Sequence, residues 1–162
     1  MRHKLFIPCF GVLSIMIFST KDLNAEASDF VINTANAEEL FDPAPYGFSH
    51  AILAKGVNEI AFIAGQGGED KDGNLDENFG TQVRQAYKNL LLAFRSTGAQ
   101  PKHVTKLTTY VVNYDQSKLE TLTRELKTVF GEHLPAQTLV PVPRLALDGM
   151  LFEVDATAVL GN

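Results

Sequence analysis

Cysteine is almost missing from this chain: of 162 residues, only Cys9 carries a thiol. One thiol cannot close an internal disulfide, and no thiolate cluster exists to hold a metal. Tryptophan is absent, and clustered basic residues are missing as well, because 14 Lys and Arg lie scattered among 19 Asp and Glu. Neutralising a phosphate backbone needs cations grouped on one surface, so this balance speaks against a nucleic-acid partner. His50, His103 and His133 show no zinc-ligand spacing, which leaves no metal site to propose. The glycines at 65, 67, 68 and 73 are not followed by Gly-Lys-Ser/Thr, so they read as a long turn and not as a phosphate loop. No internal repeat at solenoid spacing is present.

What the chain does have begins with a distinctive N-terminus. Arg2, His3 and Lys4 precede an apolar run over residues 5–18, and Ala25-Glu26-Ala27 supplies small residues around a cleavage point. This is the pattern of a secretory signal peptide over residues 1–27. The run is too short for a stable bilayer-spanning helix, so no lasting membrane insertion is expected after cleavage, although a retained anchor is the other reading of the same residues. The expected address is secreted or periplasmic. Cleavage after Ala27 removes three basic and two acidic residues, leaving 11 basic, 17 acidic and a net charge of −6. The processed chain would then contain no cysteine, and its stability would have to come from its core or from self-association.

The remaining length suits one core, and 45% hydrophobic residues suffice to build it. Residues 28–45 read as a surface lead-in ending in Asp42-Pro43-Ala44-Pro45, with a short edge strand at most. The domain proper is placed at residues 46–162. Residues 49–54 and 59–66 read as two strands joined into a hairpin by Lys55-Gly56-Val57-Asn58. From Phe79 to Arg95 the apolar residues recur in steps of three and four, predicting a helix that Gly98 ends. Residues 104–114 read as a strand, residues 118–130 as a second helix backed by Gly131, and residues 137–142 and 151–160 as two final strands. Strands, helix, strand, helix, strands predict a two-layer α+β domain with both helices on one face of the sheet. Apolar side chains on both faces at residues 60–63 and 110–112 suggest that the open face packs on another copy.

In the last strand, Phe152, Val154, Ala156 and Ala158 alternate with Glu153, Asp155 and Thr157. The period of two puts both acids on one face, roughly 6 to 7 Å apart. They read either as solvated surface acids or as a carboxylate that orients water or shuttles a proton at a pocket edge. His50 has the intrinsic pKa of a general base, but without a partner at fixed spacing a lone histidine is more often a surface or packing residue.

Tyr46 after Pro45, Gly65-Gln66 at a strand end, Gln82 and Gln85 on the first helix, Pro135-Ala136, and Glu153 occur in an order that resembles the Rid/YjgF (reactive intermediate deaminase) family over residues 45–159. The resemblance implies a chorismate-mutase-like α+β fold, a homotrimer, and a small-molecule site in each cleft between subunits. Archetypal members hydrolyse enamines and imines to keto acids and ammonia without metal or cofactor. There an arginine after Pro-Ala clamps the substrate carboxylate, and a glutamate on the last strand positions the attacking water. Glu153 stands at the glutamate position, whereas Gln137 stands where the arginine would be. Ala64 replaces a usual serine, and Leu139 a frequent cysteine. A neutral amide loses the charge-assisted bidentate contact, so anionic imino acids are expected to bind more weakly. Arg144, at an odd offset from Gln137, would point to the opposite sheet face unless a bulge or the Pro141/Pro143 turn brought it back.

Two functions follow from these residues. One is an imine or enamine hydrolase with altered activity, in which Glu153 activates water while Gln137, Tyr46, Gly65 and Gln66 hold the ligand. The other is a non-catalytic trimeric protein that binds a small molecule in the same cleft. A ribonuclease or translation-inhibitor role, sometimes attached to the family, is disfavoured by the acidic balance.

Overall fold

The computed structural model describes residues 29–162; the segment read as a signal peptide and Cys9 lie outside them. Strand β1 (Val31–Thr34) pairs antiparallel with β2 (Ile52–Lys55) in a small two-stranded sheet. The main sheet contains β3 (Glu59–Gly67), β4 (Val104–Val112), β5 (Ala136–Val142) and β6 (Phe152–Leu160) in the order β3-β6-β4-β5. Helix α1 (Phe79–Ser96) lies between β3 and β4, and α2 (Lys118–Phe130) between β4 and β5. Strands β4 and β5 run parallel, as a crossover through a helix requires, and the other pairings are antiparallel. This is the mixed-sheet α+β fold that the pattern of elements predicts.

The expected hairpin between the second and third strands does not form. Although the chain turns at residues 55–58, β2 takes β1 as its partner and β3 takes β6. Asn58 N donates to Leu160 O (2.8 Å), which steers the chain leaving the turn onto the last strand. Turn chemistry sets where a chain reverses; which strand it then meets is a matter of tertiary packing. Nine-residue β3 has more to bury against nine-residue β6 than against a four-residue partner.

Both helices cover one face of the main sheet. Val83, Ala86, Tyr87, Leu90 and Phe94 of α1 and Leu122, Leu126 and Phe130 of α2 are buried with Leu107, Val111, Phe152, Val154 and Ala156 of the sheet. Tyr87 sits at the junction, its ring 6.3 Å from Phe130 and 5.8 Å from Phe152. Burial, and secondarily the nearby Glu125 carboxylate, push the pKa of its hydroxyl well above the ordinary phenol value. The opposite face is open, and there Ile60 and Phe62 are 55% and 79% exposed.

One polar side chain ties the layers together. Gln82, wholly buried in α1, donates from Nε2 to Asp76 O (2.6 Å) and Gly149 O (2.8 Å) and accepts from Leu151 N (2.8 Å). It thereby fixes the start of β6 against the loop that enters α1. Gln82→Ala would remove the three hydrogen bonds that tie these loops to the helix, at an expected cost of about 2 to 4 kcal/mol. Urea unfolding would measure it, and a loss below about 0.5 kcal/mol would contradict this role.

Candidate functional site

The open face carries the polar residues of β6. Phe152, Val154, Ala156 and Ala158 are buried beneath the helices, so Glu153, Asp155 and Thr157 must face the other way. Tyr110 pairs with Glu153 in the β4–β6 register and donates from its hydroxyl to Asp155 Oδ2 (3.1 Å). That bond to a carboxylate, aided by burial and by the Asp155 charge, raises the proton affinity of Tyr110. Lys106, on the same face, donates to Thr138 Oγ1 (2.6 Å) and Leu107 O (2.9 Å). Its burial lowers its pKa, opposed by the Asp155 charge.

Glu153 rests on glycine. The β3–β6 register shifts between Ile63 and Gln66, and the bulge brings Gly65 under the Glu153 side chain. A Cβ at Gly65 would overlap the Glu153 carboxyl, whose Cδ would lie only 2.6 Å from it. Two residues on, a Cβ at Gly67 would collide with the Glu69 carboxyl and lie 3.1 Å from Met150 Sδ. These two missing side chains let two carboxyls lie directly on the strand. Partial burial, with the charges of Glu69 and Asp155, raises the pKa of Glu153 above the ordinary 4.5.

The other expected site residues are placed as follows. Gln66 lies beside Gly65 but folds back on its own strand, its Nε2 donating to Ala64 O and Gly65 O (both 3.1 Å). Gln137 pairs with buried Leu107 across β4–β5 and donates to Thr109 Oγ1 (3.2 Å), a side chain also buried on the helix-facing side. Within one subunit Gln137 and Glu153 therefore lie on opposite faces of the sheet. Tyr46 ends a short 3-10 turn (Ala44–Tyr46) over α2, where Thr123 Oγ1 donates to its carbonyl (3.3 Å). Its half-exposed ring packs on Phe41, and Pro45, Tyr46, Leu119 and Thr123 line a depression of about 450 Å³. Gly65, Gln66 and Glu153 are thus brought together, and Gln137 and Tyr46 are not.

His50 packs between the rings of Phe41 and Phe48 with its Nε2 2.8 Å from Phe41 O, so of its two readings the packing one fits. Arg144 bonds Asp148 Oδ1 (3.2 Å) in an exposed loop and does not rescue the charge missing at Gln137. Glu69, Tyr110 and Lys106 join the Glu153 neighbourhood without having been singled out in the sequence. Tyr110 and Lys106 alternate correctly along β4, but only the β4–β6 register makes them neighbours of the acids. A groove of about 670 Å³ reaches this corner, lined by Gln66, Glu69, Gln85 and Asn89 among others. Among the described residues no cluster of three or more His, Cys, Asp or Glu is disposed to hold a metal.

The raised pKa of Glu153 has a consequence for stability. A carboxyl that holds its proton more tightly when folded favours the fold below its unfolded pKa and loses that contribution as pH rises through the folded value. Glu153→Gln should therefore raise the melting temperature at pH 7, with the gain shrinking towards zero below pH 4.5. A difference that does not change across a pH 3 to 8 series would contradict the assignment.

Comparison with known proteins agrees with this architecture. The family model described as Endoribonuclease L-PSP matches residues 41–160. A RutC family protein of Aquifex aeolicus is 30% identical over 125 residues, spanning 72% of this chain and 92% of the relative. Among solved structures, YyfB of Yersinia pestis, a Rid-family protein of unknown function, superposes with a TM-score of 0.76 at 32% identity, covering 80% of this chain and 98% of its own. RidA from an Antarctic Psychrobacter species shares the fold with a TM-score of 0.58 at 24% identity, covering 70% and 88% of the two chains. The matched span takes in β3, both helices, the Gly65–Glu153 contact and the whole main sheet, and on it the chain belongs to the Rid/YjgF family, the family of the Endoribonuclease L-PSP model.

Proposed function

We propose that this protein is an exported, homotrimeric hydrolase of small imines and enamines, with Glu153 as its acid–base group and no cofactor. The observation that carries the proposal is Glu153 itself, a half-buried carboxyl with raised proton affinity lying over bare backbone at Gly65. A carboxyl of this kind can both accept a proton and return it. As water oxygen bonds to the carbon of a protonated imine, Glu153 takes one of the water protons. A carbinolamine results. The same carboxyl then protonates the amine nitrogen, the C–N bond breaks with its electron pair going to nitrogen, and the remaining hydroxyl proton is released. The products are a carbonyl compound and ammonia.

Assembly supplies the rest of the cleft. Gln137 lies on edge strand β5 and Glu153 on the opposite sheet face, so one subunit cannot present both to one ligand. Packing the open face, with exposed Ile60 and Phe62, against another copy covers apolar surface and brings an edge strand of one copy beside the carboxyls of the next. Tyr46 reaches the cleft in the same way. RNA is a poor fit as substrate for a processed chain of net charge −6. Gln137, which offers no cation to a substrate carboxylate, also suits a second reading, a trimeric binding protein without turnover.

Imine hydrolysis by the parent, lowered about 10² to 10⁴-fold in kcat by Glu153→Gln, is the expected outcome. An inactive parent that still binds small ligands would favour the second reading. Light scattering with intact mass measurement should give three chains per particle, each beginning after Ala27 when isolated from an exporting host. Phe62→Asp should reduce the particle to one chain, and a parent already monomeric would remove the shared cleft.

A further inference from the structure

On the helix side of the sheet, away from Glu153, the seam between α1 and α2 stays open. Tyr87, Lys88 and Leu91 lie on one stripe of α1, spaced by three and four residues, and Glu125 and Val129 lie on a stripe of α2 spaced by four. Leu90 and Phe94 of α1 and Leu126 and Phe130 of α2 close the deeper part of the seam against the sheet. Between the outer stripes a groove of about 440 Å³ remains.

Two polar side chains in its lining are almost wholly buried, Tyr87 at 2% exposure and Glu125 at 8%. The Tyr87 ring packs on Phe130 and Phe152, and its hydroxyl has no hydrogen-bond partner among the described residues. Of those residues, Glu69 alone has a sealed side-chain atom without a partner, so the Tyr87 hydroxyl opens on the groove that it lines. Burial first, and then the Glu125 charge, hold its proton far above the ordinary phenol range, which makes it a permanent donor. Glu125 spends a single oxygen: Arg84 Nη1 (3.3 Å) and Arg124 Nε and Nη2 (3.4 and 3.2 Å) all donate to Oε1. Oε2 is left as an acceptor. One donor and one acceptor thus share a groove walled by Leu91 and Val129, and at its rim Lys88 is exposed, with no carboxylate partner among the described residues.

We infer that the α1–α2 groove is a second binding site, separate from the Glu153 face, for a small phenol with an anionic tail. The ligand hydroxyl accepts from Tyr87 and donates to Glu125 Oε2, because a hydroxyl is the smallest group that does both. The aromatic ring lies on Leu91 and Val129, and the tail carboxylate reaches Lys88 at the rim. An amine tail would meet Lys88 and Arg84 with like charge. Nothing in this site depends on imine chemistry, and the two arginines stay on Glu125 throughout.

4-Hydroxyphenylacetate carries hydroxyl, ring and acid together, phenylacetate lacks the hydroxyl, and tyramine reverses the charge of the tail. Calorimetry on the protein as purified, with NMR of the Leu91 and Val129 amides to locate binding, should show 4-hydroxyphenylacetate bound about tenfold more tightly than either of the others. Tyr87→Phe removes an oxygen that no described residue holds, so the fold should survive the change. It should weaken 4-hydroxyphenylacetate about tenfold and leave phenylacetate unaffected. Lys88→Gln, on the exposed rim, should cut the preference over tyramine about threefold and leave the preference over phenylacetate intact. No measurable binding, equal affinity for phenylacetate, unchanged affinity in Tyr87→Phe, or shifts confined to Gly65 and Glu153 would each overturn the inference.

Discussion

The phase of β6 governs everything else in this molecule. It is an inner strand, paired along its length with β3 on one side and β4 on the other. Phe152, Val154, Ala156 and Ala158 are fully or nearly fully buried against the helices, and a slip of one residue would bury Glu153, Asp155 and Thr157 in their place. The cost of placing charges in that core fixes the register. Once it is fixed, the acids have a defined face, Tyr110 and Lys106 of β4 lie beside them, and the β3 bulge sets bare glycine under Glu153.

Periodic signals account for what the sequence disclosed. Both helices follow from apolar residues in steps of three and four, and the β6 alternation correctly predicts that Glu153 and Asp155 share the open face. Local patterns carry no information on partners, which is why residues 55–58 suggest a hairpin that tertiary pairing overrides. Gln137 shows the same limit. Its place after Pro135-Ala136 singles it out by resemblance, but its face depends on parallel pairing with β4, which sequence spacing alone does not reveal. Glu69 was hidden for a different reason: within a glycine-rich turn it looks like any solvated acid, and its lack of a donor exists only once Met150 and Gly67 enclose it.

The electrostatics of the site run opposite to those implied for a carboxylate-binding relative. Gln137 stands where the resemblance implies a cation, and Glu69 and Asp155 add their charge beside Glu153. The scaffold need not change for this to happen. One fold can carry sites of different charge.

Pro141 gives β5 a further property. As an edge strand it presents backbone groups that another chain can pair with, but proline has no N–H to offer, and Pro143 follows just beyond the strand. Ser49 already bridges the strand at Ala136, so only residues 137–140 remain able to zip onto a neighbouring strand. A bare margin that short discourages the endless strand-on-strand stacking that a longer one would invite.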